Sequence, residues 1–409
     1  VVLSLKKNFS FALIGNLVYA ACQYLILLIF IKVFPTEDVG MFIYAGAFTT
    51  PLMMALDMQL RNFYITDPST HLKLNDYLSF RSFFNLIGVL GLFLAAIFFK
   101  PEYVWVIFLV SLIKVFESQI DLMYGVYQKG HRLDYVAYSR ILRGVAAVIT
   151  VLIVSLFFEN LIISLVSYVC VWLLIYLFYE RKKVVQRGFV TYESLRLIIV
   201  KKENLKKLLV LCSPIFLAIL IDKYYLNYPR LKVEDILGVE MLGVFGSLLY
   251  FKSMGGQFIS SLAQSAIPKL SNYILEKKIK SFNKLLFKMV LIGFFIGALL
   301  SVIAYIGGEN LLLLLYNEKY AKYSNVLLVV LLGATITFSY IFIATALTCI
   351  RKQWVKLPIS IVSFALLIGL FYTMPSSRLI DVAYIVLYTE GFTFLLYYTV
   401  FILFIKKQL

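Results

Sequence analysis

The chain has 409 residues, 62% of them of the hydrophobic types, against the ~45 to 50% usual for a soluble domain, and no water-soluble fold buries that much. At about 20 residues per span, the apolar content suffices for about twelve membrane crossings and leaves no length for a soluble domain. The formal net charge of +17, from 39 basic and 22 acidic residues, would suggest nucleic acid in a soluble chain. In a membrane protein it reports first on topology, and no nucleic-acid partner is expected.

The opening "VVLSLKKNFSFALIGNLVYA" sets Lys6 and Lys7 ahead of an apolar run that continues to about Phe34. That is too long for the apolar region of a cleaved signal, so it is read as the first span. Apolar runs then predict helices at roughly 8–34, 39–66, 80–99, 102–127, 138–158 and 161–180. A second set falls at about 208–230, 239–266, 285–308, 323–349, 355–373 and 382–405. Short connections separate them: "FPTED" at 34–38, "KPE" at 100–102, "FEN" at 158–160, "NYPRLKVED" at 227–235, "NEKY" at 317–320 and "MPSSR" at 374–378. The fold class expected is an all-α polytopic membrane protein, with about twelve transmembrane helices in two six-helix bundles.

The bundles are expected at residues 1–180 and 208–409, joined by a basic cytoplasmic linker at 181–207. The linker's apolar positions, Val184, Val185, Phe189, Leu195, Ile198 and Ile199, alternate with Lys and Arg. They suit either a helix lying on an anionic inner leaflet or a solvated loop that obeys the positive-inside rule. About 29 basic residues fall on the side of the N-terminus and seven on the other. The expected topology is therefore multi-pass with both termini cytoplasmic.

"EDVGMF" at 37–42 resembles "EMLGVF" at 240–245, and aligning Gly40 with Gly243 brings Pro51 opposite Met254, beside Gly255 and Gly256. A matching interruption of the second span in each half is expected, as in the moving helices of repeat-built transporters. Cys22, Cys170, Cys212 and Cys349 lie in apolar stretches without paired spacing, and His71 and His131 are the only histidines. No disulfide, metal site or cofactor is expected.

Charges inside spans cost ~2.5 to 3.5 kcal/mol at the bilayer centre, which makes each a functional candidate. Lys114, Glu117 and Asp121 follow i, i+3, i+7 and share one helical face near mid-membrane. Lys114 and Glu117 would also serve as a self-neutralising pair. Asp57 and Arg61 form an i, i+4 pair near a span end, and the adjacent Asp222 and Lys223 point about 100° apart. Lys252 has no acid within a turn, so its partner must come from another helix or a ligand. Glu390 is the lone interior acid of the second half, suited to a structural or an ion-coupling role. Lysines near mid-depth in both halves favour an anionic substrate, and lysine suits a point-charge contact with phosphate. The chain lacks a large external loop, a Gly-rich phosphate loop and an ATPase domain, which disfavours an enzyme or a primary pump.

Several segments resemble bacterial polysaccharide-biosynthesis membrane proteins of the Wzx type. They are "KNFSFALIGNLVYAACQYLILLIFIKVFPTEDVGMF", "MQLRNFYITD", "KVFESQIDLMYGVYQ", "GVFGSLLYFKSMGGQFISSLAQSAIPKLS" and "LLLLLYNEKYAKYSNVL". These proteins are lipid-linked oligosaccharide flippases of the multidrug/oligosaccharidyl-lipid/polysaccharide (MOP) exporter superfamily. The resemblance implies two six-helix bundles in a V that alternate between inward-open and outward-open states in the bacterial inner membrane. The implied cargo is an undecaprenyl-pyrophosphate-linked oligosaccharide. Further implied partners are membrane lipids, a coupling proton or sodium ion, and a polysaccharide polymerase complex. Carried over by position, pyrophosphate binding falls to Arg61, Lys114, Lys223 and Lys252, and ion coupling to Asp222 and Glu390. This interior departs from the family pattern in carrying as many acids as bases and more lysine than arginine. The alternative is an ion-coupled multidrug antiporter of the same superfamily, using Asp57, Glu117, Asp121 and Glu390. A glycan polymerase or ligase would want the long external loop that is missing.

Overall fold

The fold is described from a computed structural model, which covers residues 5–66 and 72–406. His71 and Asp67, the last residue of "MQLRNFYITD", lie outside the described residues. The elements are α1 (Leu5–Val33), α2 (Thr36–Leu56), α3 (Leu60–Thr66), α4 (Leu74–Phe99), α5 (Val104–Lys129), α6 (Leu133–Phe158), α7 (Leu161–Leu174) and α8 (Arg181–Gln186). They continue with α9 (Lys202–Leu237), α10 (Val239–Leu275), α11 (Ile279–Leu315), α12 (Glu318–Ala321), α13 (Ser324–Cys349), α14 (Lys356–Thr373) and α15 (Leu379–Lys406). A π-helical turn, Ile175–Glu180, joins α7 to α8 in one rod. Taking α2 with α3 and α7 with α8 as broken rods, and α12 as a connector, twelve rods stand among the described residues.

Ten of the rods are long and apolar enough to cross a membrane. The other two, α5 and α10, have the length but carry Lys114, Glu117 and Asp121 in one case and Lys252 among Ser, Gly and Gln in the other. The chain is thus a multi-pass, all-helical membrane protein, and the two rods outside the ten are those that carry the Lys114, Glu117 and Asp121 face and the lone Lys252.

Several boundaries differ from expectation. Helix α9 runs straight through "NYPRLKVED" and ends at Leu237; the turn is made by Gly238 at φ 87°, in the left-handed region open to glycine. Helix α2 continues past Pro51 and breaks instead at Met58 and Gln59, with φ of 47° and 49°. Helix α10 is continuous through Gly255 and Gly256, so the matching interruption of the two second spans is absent. Gly255 serves packing: a Cβ there would stand 2.5 Å from Phe338 Cζ.

The chain divides into two compact units, Val1–Asn227 and Tyr228–Leu409, with the boundary inside α9 rather than in the basic stretch 181–207. That stretch is strapped onto the first unit. Val184 and Leu195 are buried, and Phe189 meets Tyr127 and Tyr135 edge-on at 5.5 and 6.0 Å. Arg181 Nη2 donates to the Leu195 carbonyl at 3.1 Å, and the Ile198 N–H donates to Ser79 Oγ at 2.8 Å. Of its apolar residues Ile199 stays fully open.

Lipid tails are as apolar as leucine, so helices associate in a membrane through close backbone approach and polar bonds. In the first unit α1 lies on α6, where a Cβ on Gly15 would stand 2.7 Å from Ala137 Cα. In the second, α11 presents "GFFIG" at 293–297 to α13, and a Cβ on Gly297 would stand 2.4 Å from Thr335 Cα. Large apolar side chains such as Phe98, Phe157, Phe295 and Leu314 cover the outer faces.

Candidate functional site

The break after α2 sets the geometry of the first unit. Two successive left-handed residues cost about 1 to 3 kcal/mol each, so the surrounding structure must hold them. Arg81 of α4 does much of this. Its side chain is 0% exposed, its Nη2 donates to the Asp57 carbonyl at 3.1 Å, and its Nη1 donates to the Ser118 carbonyl of α5. One guanidinium thereby ties the frayed end of α2 to α5. The Asp57 carboxylate accepts from Ser118 Oγ, which in turn accepts from Asn85 Nδ2 at 3.2 Å.

Because the chain turns at Met58 and Gln59, Arg61 leaves the face it would share with Asp57, and the expected i, i+4 pair does not form. Arg61 reaches α5 instead, with Nη1 donating to Asp121 Oδ1 at 2.8 Å and Nη2 to Gln128 Oε1 at 2.6 Å. Asp121 also lies 3.8 Å from Arg81 Nη1. One turn earlier on α5, Lys114 Nζ donates to Glu117 Oε2 at 2.8 Å, the pairing open from the sequence. The face shared by Lys114, Glu117 and Asp121 is half-exposed.

Tyr124 of α5 gathers three guanidinium groups: Arg61, Arg140 and Arg143 have Cζ 5.8, 5.3 and 5.8 Å from its ring centroid. Arg143 also lies 4.7 Å from the Tyr19 ring and 4.0 Å from that of Trp172. It is buried, and its Nε and Nη1 have no hydrogen-bond partner among the described residues. Arg81, Arg140 and Arg143, which belong to the basic residues counted on the side of the N-terminus, are interior residues of α4 and α6. The i, i+3 spacing of Arg140 and Arg143 just inside a predicted span was the signal that marked them. Arg61, Arg81, Lys114, Arg140 and Arg143 together face Asp57, Glu117, Asp121 and Glu180, an excess of one positive charge.

Lys223 Nζ lies 3.4 Å from Asp222 Oδ2, so these neighbours share a direction and pair with each other rather than diverging. In the second unit, Lys252 of α10 donates to Glu390 Oε1 of α15, a partner from another helix as its sequence context required. The pair is nearly closed off, with side chains 16% and 9% exposed. Glu390 Oε2 has no hydrogen-bond partner among the described residues, and it abuts Gly333 of α13, where a Cβ would come within 2.3 Å of it. Each cation named from the sequence therefore has a carboxylate beside it. An incoming anion competes with those carboxylates, and the guanidinium fork of Arg61, with Arg140 near it, suits a phosphate oxygen better than a lone ammonium does.

No protein-family model matches the chain. Its structure is similar to the inward-facing conformation of a multidrug resistance MATE family transporter of the MOP superfamily, with a TM-score of 0.69 at 13% identity over 100% of this chain and 96% of that one. The outward-facing conformation of a MATE family transporter gives 0.66 at 14% identity over 98% and 96%. A MOP superfamily transporter of Pyrococcus furiosus, described by a reversed polarity of its binding pocket, gives 0.66 at 13% over 98% and 96%. The chain has the fold of the MOP-superfamily transporters. In sequence it is 27% identical over 403 residues to the capsular polysaccharide biosynthesis protein CapF of Staphylococcus aureus, covering 96% of this chain and 98% of the relative. The fold is that of these transporters, and the sequence is similar along almost its whole length to a capsular polysaccharide biosynthesis protein, the kind of protein that its segments resemble.

Proposed function

We propose that the chain is a flippase that moves an undecaprenyl-pyrophosphate-linked oligosaccharide from the inner to the outer leaflet of a bacterial inner membrane, for surface polysaccharide synthesis. The observation that carries this is the cluster of Arg61, Arg140 and Arg143 around Tyr124, in a chain similar along almost its whole length to a capsular polysaccharide biosynthesis protein. Arg61, Lys114, Lys223 and Lys252 are the proposed pyrophosphate contacts, joined here by Arg140, and the polyprenyl tail stays in lipid. Phosphate oxygens displace the carboxylates that hold these cations in the empty protein. Asp222 and Glu390, freed from Lys223 and Lys252, then become available to a proton or sodium ion. Tyrosines beside the cations offer faces for sugar rings.

The test is complementation of a strain that lacks its own flippase. Lys114, Lys223 and Lys252 are changed together to alanine, and Arg61 and Arg140 together to glutamine. Each set is expected to cut surface glycan at least tenfold relative to the amount of folded protein in the membrane. Wild-type glycan in both would sink the proposal. The MATE-like fold favours the second reading, a drug antiporter working through Asp57, Glu117, Asp121 and Glu390. Broad drug resistance on expression in a sensitive host, with no glycan rescue, would establish it instead.

A further inference from the structure

Glu180 has no part in the roles above. It ends the π-helical turn Ile175–Glu180, a local widening of the helix that recurs at functional sites. The basic residues Arg181, Lys182 and Lys183 follow it directly, yet its side chain is 0% exposed. Its Oε1 accepts from Ser139 Oγ of α6, which lies 2.7 Å from Tyr124 Oη of α5. Its Oε2 has no hydrogen-bond partner, and no Lys or Arg among the described residues pairs with it. The charged and titratable groups that act on it are Tyr124 and Tyr127 from α5, Arg143 from α6, and Tyr179 of its own turn.

A carboxylate buried with a single hydroxyl donor is costly to keep charged. Two hydroxyls connect it to the tyrosine ring against which Arg61, Arg140 and Arg143 stand. An anion gathered by those arginines weakens the positive potential that stabilises a charged Glu180 and so draws a proton to it. We propose that Glu180 is a proton-exchange site, linked to the arginine cluster through Ser139 and Tyr124, that takes up a proton when a phosphate-bearing substrate sits on the arginines and gives it up when that substrate leaves. The proton comes from solvent and forms an O–H bond at Oε2; no bond of the substrate breaks. This rests on the pyrophosphate reading above and adds to it an acid in the first unit that couples substrate to protons.

The test uses the full-length protein in detergent and a short prenyl-pyrophosphoryl sugar, a diester whose phosphates do not titrate near neutrality. Proton uptake on adding the probe is followed in weak buffer, and the protonated-carboxyl band by infrared difference spectroscopy. The wild type is expected to take up about one proton per bound probe. It should also show a band that grows as pH falls and again as the probe binds. Glu180→Gln should lose both while still binding the probe, Glu180→Asp should keep a shifted band, and Ser139→Ala should weaken the link between probe and band. Equal bands and equal uptake in wild type and Glu180→Gln overturn the inference and leave the substrate reading standing. If the wild type fails to bind the probe, the substrate reading falls. A pH-driven band lost in Glu180→Gln still supports Glu180 as the exchange site.

Discussion

Lys252 and Glu390 show how a single pair of residues constrains the second unit. Removing either partner leaves an uncompensated buried charge, so Lys252→Ala or Glu390→Ala is expected to cost about 3 to 5 kcal/mol. The double change Lys252→Met with Glu390→Leu should recover most of that loss, since two apolar groups need no partner in a low-dielectric site. Thermal unfolding of the detergent-solubilised protein checks this, and a double variant as unstable as the sum of the singles would show that the two do not act as a pair. The lysine's need for an external partner was legible in the sequence. The partner's identity was not, because Glu390 lies 138 residues away and only the packing of α10 with α15 brings the two together. Arg140 and Arg143 were hidden for another reason: arginine near the end of a span reads as interfacial until the rings of Tyr19, Tyr124 and Trp172 are seen around it.

At the scale of elements, the rods overrun their apolar stretches. Helix α11 starts at Ile279 where the apolar run predicts 285, because a helix leaving the hydrocarbon keeps its backbone bonds where polar side chains cost nothing, and by the predicted end at 308 it kinks at Gly307, with φ −136° and ψ 20°. The fracture between α2 and α3 was not legible, since no glycine marks it and Pro51 drew attention to the wrong place. Gln59→Gly should be tolerated there or stabilise the protein slightly. Gln59→Val, a β-branched residue at φ 49°, should cost about 1 to 3 kcal/mol and displace Arg61 from Asp121. Melting curves and glycan complementation measured together check both effects, and equal behaviour of the two variants would contradict them. Gly297→Leu drives a side chain into the α13 backbone and is expected to lower the melting temperature sharply, whereas Gly307→Ala on the same helix, where a Cβ meets nothing within 4 Å, serves as the mild control.

For the whole molecule, the positive charge has two meanings. Most of the 39 basic residues sit near the ends of rods and in the stretch 181–207, and five cations of α3 to α6 belong to a polar cluster with four acids. The linker expectation changes accordingly. Val184 and Leu195 are buried in the first unit, and Phe189 packs edge-on against Tyr127 of α5 and Tyr135 of α6. Phe189→Ala is expected to loosen this strap, raising protease cleavage between Arg187 and Lys201 several-fold in the purified protein. Unchanged cleavage would show that the stretch is held by its hydrogen bonds alone.

Composition and apolar periodicity by themselves determined that this chain is an all-helical, multi-pass protein of about twelve rods. They also marked the rods that carry charge, because burial in lipid selects side chains residue by residue and leaves that selection visible along the sequence. Which charges meet was decided only by the tertiary structure. Two left-handed residues redirect Arg61, Arg81 bridges two helices through backbone carbonyls, and Ser139 connects Glu180 to Tyr124. Those are relations between different helices, set by close packing and by the cost of leaving buried polar groups without partners, and no local pattern records them.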